Sequence, residues 1–174
     1  MARSIINIAD LEFRKVGHGV NFPGASNAPE KFEGQVGDIG RRLGAQKLGY
    51  NLTVVPAGKR AWPFHNHRFN EEMFFILEGE GSIRIAGETH KVRQGDFISL
   101  PPGPESAHQI INDSQAPLRY LAVSTMMVPE VVEYPDAGKI GVIAGTSGGR
   151  PPGPDSIRHF TYRKDGVDYW EGEA

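Results

Sequence analysis

A chain of 174 residues has the size of one ordinary domain, and its 19 basic and 21 acidic side chains leave a net charge of −2, which offers no general field for nucleic acid or an anionic membrane. The absence of cysteine excludes disulfides, zinc fingers and thiol nucleophiles together, so any metal must be held by nitrogen and oxygen. No run approaches the ~20 apolar residues that span a bilayer, and MARSIINIADLEFRK lacks the unbroken apolar region of a signal peptide, so a cytoplasmic protein with a small-molecule ligand is expected.

Gly (22) and Pro (13) punctuate short alternating runs in the way of all-β sandwiches and barrels, and long helical patterns are absent. In chain order, residues 17–40 (GHGVNFPGASNAPEKFEGQVGDIG) are rich in Gly, Pro, Ser and Asn and are expected to run as surface loops. From Lys47, KLGYNLTVV alternates, placing Leu48, Tyr50, Leu52 and Val54 on one face before a turn at Pro56 and Gly58. MFFILE, from Met73 to Glu78, is an apolar run short enough for a buried strand, closed by EGEG at Gly81. Ser82 to Ile85 and Glu88 to Val92 flank Ala86-Gly87, which reads as a two-residue hairpin connection. Asp96 to Leu100, His108 to Asn112 and Leu118 to Thr125 predict further strands, with PPGPES as the loop after the first. About eight strands at this spacing suit an antiparallel barrel or jelly roll. PPGPES recurs as PPGPDS from Pro151 to Ser156, inside a second expected loop at 145–156, and is read as coincidence because a duplicated domain would repeat far more.

His65 to Glu72 reads HNHRFNEE. Successive side chains of a strand point to opposite faces, so His65 and His67 would emerge together with Asn66 facing away. A metal site of neutral imidazoles usually adds a carboxylate to offset the ion's charge. His65, His67 and one of Glu71 and Glu72 supply most of this, and His108 is the one further histidine set in a suitable strand pattern. His18, His90 and His159 fall in loop or polar strand contexts and are expected to be solvated, while Trp62, Phe64, Phe74 and Phe75 are expected to pack around the site.

These residues carry a resemblance to the cupin superfamily, whose first motif pairs HxH with a Glu and a later Gly. His65, His67, Glu72 and Gly79 stand at those positions, and counting back from Gly79 selects Glu72 over Glu71. Gly95, Pro101, Gly103, His108 and Asn112 match the second motif in order, with four residues between Gly103 and His108 where the family usually has two. Gly58 also lies one residue too far before His65. The tail patterns VVEYPDAGKIGV and VDYWEGEA are similar to those of single-domain bacterial cupins described as sugar-phosphate isomerases.

The resemblance implies an all-β fold, an antiparallel double-stranded β-helix (the cupin jelly-roll barrel) with extended arms at both ends. Residues 1–44 would form an N-terminal arm with an edge strand, 45–128 the cupin barrel, and 129–174 strands and an arm packing on it, in one domain overall. It further implies one divalent transition metal (Mn, Fe, Ni, Co or Zn) on His65, His67, Glu72 and His108, and a homodimer. Asn112 is read as a strand-end partner and not a ligand. Expected activities are a metal-dependent enzyme on a small oxygenated substrate, such as a sugar or sugar-phosphate isomerase; an Fe- or Mn-dependent dioxygenase or oxalate-type enzyme; or a binding protein without turnover. Tyr50, Arg60 and Tyr120 are candidates for substrate contact, with Arg60 and Arg68 the candidates for a phosphate.

Overall fold

The computed structural model describes residues 4–20, 27–145 and 153–173. These form strands β1 (Arg14–Gly17), β2 (Glu33–Asp38), β3 (Leu48–Val55), β4 (Asn66–His67), β5 (Glu72–Glu78), β6 (Glu80–Ile85) and β7 (Glu88–Arg93). Next come β8 (Phe97–Leu100), β9 (His108–Ile111), β10 (Leu118–Thr125), β11 (Glu130–Tyr134), β12 (Lys139–Ala144) and β13 (Ile157–Tyr162). One short helix, α1 (Gly40–Leu43), precedes β3.

The strands build a six-stranded sheet in the order β1-β2-β3-β10-β5-β8, a three-stranded sheet β7-β6-β9 and a four-stranded sheet β13-β12-β11-β4, all paired antiparallel. A single bridge between His65 and His108 joins the two smaller sheets edge to edge. The core fills the space between them and the large sheet, with Val55, Phe74, Ile76, Leu100, Leu118 and Tyr120 from one side and Ile83, Val92 and Ile110 from the other. Fully burying an aliphatic side chain of this size contributes about 1.5–3 kcal/mol.

Local sequence explains the turns. Ala86 (φ 48°) and Gly87 (φ 97°) both take positive φ, as the two-residue turn between paired Ile85 and Glu88 requires. At Gly79, with φ 86°, a Cβ would stand 2.6 Å from the Pro117 carbonyl oxygen, so EGEG turns where no side chain fits.

Several expectations change. Within residues 17–40, Glu33–Asp38 is a strand and not a loop, its weak strand propensity, with two glycines in six residues, offset by pairing with β3 and β1. More strands form than the pattern suggested, because β11, β12 and β13 pair with one another and with β4 to extend the second wall. Leu48, Tyr50, Leu52 and Val54 do share a face, but register with β10 makes it the one opposite to Thr53 and Val55, which point into the central cluster; Leu52 is buried on that outer side. Part of the second PPGPxS copy, residues 151–152, lies outside the described residues.

Candidate metal centre

Strand alternation sets the site. β4 is held on one edge by β11, with His67 opposite Val132, and His65 on its other side exchanges both backbone hydrogen bonds with His108, at 3.1 and 2.7 Å. Two imidazoles from distant parts of the chain are thereby fixed side by side, their ring centroids 4.6 Å apart. Glu72 opens β5 on the face that Phe74 and Ile76 continue into the core, and Glu71 faces outward, its backbone N–H donating to Thr125 Oγ1.

One donor atom each from His65, His67 and Glu72 lies within 4.8 Å of the others. His108 stands outside that triangle but reaches Glu72, Nε2 to Oε2, at 3.1 Å. Carbonyl oxygens only accept, so His65 Nδ1, 2.8 Å from the Pro63 oxygen, and His108 Nδ1, 2.9 Å from the Ser106 oxygen, both carry their hydrogens. In each neutral ring the Nε2 lone pair is left over. The buried His108 Nε2 has no hydrogen-bond partner and looks at a carboxylate oxygen, an arrangement of two acceptors that a cation or a proton would satisfy. A mixed imidazole and carboxylate donor set of this kind fits a divalent transition ion.

Electrostatics keep His65 and Glu72 in their binding forms and favour a proton on His67. Burial, then the neighbouring His108 ring, pushes the His65 imidazole down to about 3, so it stands neutral. Burial works against the charged form of Glu72, yet the His108 imidazole beside it and then the charge of His67 hold its carboxyl below the usual range. Burial likewise opposes the His67 cation, but Glu130 and Glu72 outweigh it and raise that imidazole above its ordinary value.

Glu130 was not visible as a site residue in the sequence. Its Oε2 lies 3.4 Å from His67 Nδ1, on the side of the ring away from Glu72, whose Oε2 is 3.5 Å from Nε2. The backbone N–H groups of Arg68, Phe69, Asn70 and Val131 donate to the same carboxylate, as does the Asn70 side chain. At 3.4 Å the buried carboxylate faces His67 Nδ1 as a charge, outside hydrogen-bond geometry. The available signal was PEVVEY, where two glutamates interrupt an apolar, β-branched run. The second of them, Glu133, accepts from Asn66 Nδ2 at 2.9 Å and Arg68 Nη2 at 2.8 Å, and also from Arg163, which fixes β4 from its other face.

The remaining candidates divide. Tyr120 faces the interior, its ring 5.0 Å from Phe74, and burial raises its phenol so that it stays protonated. Tyr50 is on the opposite face, against Gly40, and does not join the cluster. Arg60 lines a separate cavity, and Arg68 is engaged by Glu133. Asn112 donates to the Val55 and Ala116 carbonyls and accepts from Ser114, tying the strand end. Phe74 packs 5.3 Å from His108, whereas Phe75 pairs with Phe97 on the outer face. His18 Nδ1 donates to the Ala28 carbonyl oxygen at 2.8 Å, and His90 and His159 are exposed on β7 and β13.

Comparison with known proteins agrees with this geometry. Residues 51–124 match the family model for a cupin domain. An uncharacterized protein of Methanocaldococcus jannaschii is 37% identical over 71 residues, 41% of this chain and 54% of that protein, so the chain spans about half the length of that curated relative. Among solved structures, a sugar phosphate isomerase of the cupin superfamily from Silicibacter pomeroyi superposes with a TM-score of 0.75 at 22% identity, over 92% of this chain and 94% of that one. A proposed sugar phosphate isomerase from Acidithiobacillus ferrooxidans gives 0.70 at 23%, over 92% and 91%. At these identities the structures speak to the fold, and no described helix is long and apolar enough to cross a membrane. Residues 51–124 are a cupin domain, set in a chain with the all-β, antiparallel double-stranded β-helix fold of those solved structures.

Proposed function

We propose that this chain is a mononuclear metal-binding cupin, with His65, His67, Glu72 and His108 as ligands, that isomerises a small oxygenated substrate of the sugar or sugar-phosphate type. The observation that carries the metal reading is the His108 Nε2 lone pair set 3.1 Å from Glu72 Oε2 in a buried space with no donor between them. The substrate class is supported by the likeness to solved structures described as sugar phosphate isomerases. When bound, a divalent ion supplies Lewis acidity toward adjacent oxygens of a substrate. The chain's own part is to aim the donors and keep the site dry: Glu130 faces the His67 ring as a charge, Pro63 and Ser106 fix the tautomers of His65 and His108, and Phe74 and Tyr120 close the floor. A homodimer belongs to the same proposal, supported by the exposed Val167, Tyr169 and Trp170 near the C-terminus.

The test is proton exchange. Metal-loaded protein in D2O, given a panel of aldoses, ketoses and their phosphates, is expected to wash deuterium into the carbon beside the carbonyl, as followed by proton NMR. A panel with no exchange would remove the isomerase reading, and oxygen uptake by the same samples would replace it with the dioxygenase one.

A further inference from the structure

We propose that a second cavity, beside the metal cluster but lined by none of its four residues, binds the phosphomonoester of a small, ring-bearing molecule. The cavity has a volume of about 530 Å³, within the ~300–1,000 Å³ of small-molecule sites. It lies between the chain at 27–32, the segment around Arg60 to Phe64 and the turn between β11 and β12. Pro63 and Tyr134 belong to both neighbourhoods: Pro63 accepts the His65 Nδ1 hydrogen, and the Tyr134 ring stacks on His65 at 6.2 Å.

Charge selects the ligand. Lys31, Arg60 and Lys139 line the cavity, and among the described residues no carboxylate lies within ion-pair distance of any of them. Lys31 and Lys139 rest over aromatic rings, 5.3 Å from the Phe32 centroid and 5.4 Å from that of Tyr134. The one acid in the lining, Asp136, is already neutralised by Arg84, whose Nη1 and Nη2 donate to it at 2.7 and 2.9 Å. Three cations therefore remain around one concavity, where they repel one another until an anion enters. A carboxylate offsets one of them, whereas a phosphomonoester carries about −1.5 to −2 at pH 7 and offers three acceptor oxygens. Trp62, which lines the cavity and is 40% exposed, supplies an apolar face for the ring that bears it.

The site stands apart from the metal reading, and its test does too. Calorimetric titration of the full chain with ribose 5-phosphate, ribose and inorganic phosphate is expected to give saturable binding of the ester, none of ribose, and weaker binding of the free anion. Arg60→Ala and Lys139→Ala should each weaken ribose 5-phosphate about tenfold, with the thermal midpoint of the free protein unchanged as evidence that the fold is intact. A His67→Ala variant separates the sources of such an ester: unchanged affinity identifies a ligand confined to this cavity, and affinity that depends on metal identifies one that also reaches the cluster. The proposal is overturned if the wild-type protein shows no saturable binding of the ester or if the double variant binds it as tightly as wild type. It also falls if inorganic phosphate binds as well as ribose 5-phosphate, because the aromatic wall would then contribute nothing.

Discussion

Ile76 and Glu72 lie on the same strand and face the same interior, yet the space around them obeys different rules. Ile76 belongs to one apolar cluster with Ile83, Leu118, Val55 and Ile110, and Asn112 closes on two carbonyls. Around Glu72 three imidazoles converge with at least two lone pairs aimed inward, and His108 Nε2 is buried without a partner. Water exclusion stabilises the first end through apolar burial. At the second end the same exclusion makes unpaired acceptors costly. The lesson is that one barrel can use burial for stability at one end and for affinity toward a cation at the other.

This contrast can be broken most forcefully at the apolar end. Ile76→Ala, at a position with no exposure, is expected to cost about 2–5 kcal/mol in urea unfolding while leaving metal stoichiometry intact; loss of metal with retained stability would show that the two ends are not separable as described. At the polar end, Glu130→Gln should leave the four ligands in place but weaken metal about 10–100-fold by calorimetry. Because Glu130 helps raise His67 above its ordinary value, the same variant should also move the acid limb of metal binding to lower pH, since protons compete for that ring. An unchanged pH profile would reduce Glu130 to a loop anchor. The smallest effect is the most diagnostic of the acceptor conflict. In Glu72→Gln the new amide can donate to His108 Nε2, so the metal-free variant at pH 8 should be more stable than the metal-free wild type by about 1 kcal/mol. Lower stability would mean that the two acceptors are reconciled by a proton in the free protein.

The legibility of the molecule follows the same division. Alternation marks β3, an apolar run β5, the Ala86-Gly87 turn β6 and β7, and Gly/Pro punctuation β8, β9 and β10, because each local pattern agrees with its tertiary role, and the HxH spacing puts His65 and His67 on one face. β2 was missed because EGQVGD has little strand character of its own and is held by its neighbours. Tyr50 lies on the outer face, which the sequence could not tell because alternation shows which residues share a face but not which face meets the core. Glu130 was illegible as a partner of His67 because the link runs through the pairing of β4 with β11, which no local pattern encodes.

The most direct measurement is elemental analysis of protein purified without chelator, set beside identical preparations of His67→Ala and Glu72→Gln. The account predicts close to one Mn, Fe, Co, Ni or Zn per chain in the wild-type protein and its loss in both variants, with the barrel still folded by circular dichroism. Wild-type protein that stays empty after incubation with each of these ions, or variants that keep full occupancy, would contradict it.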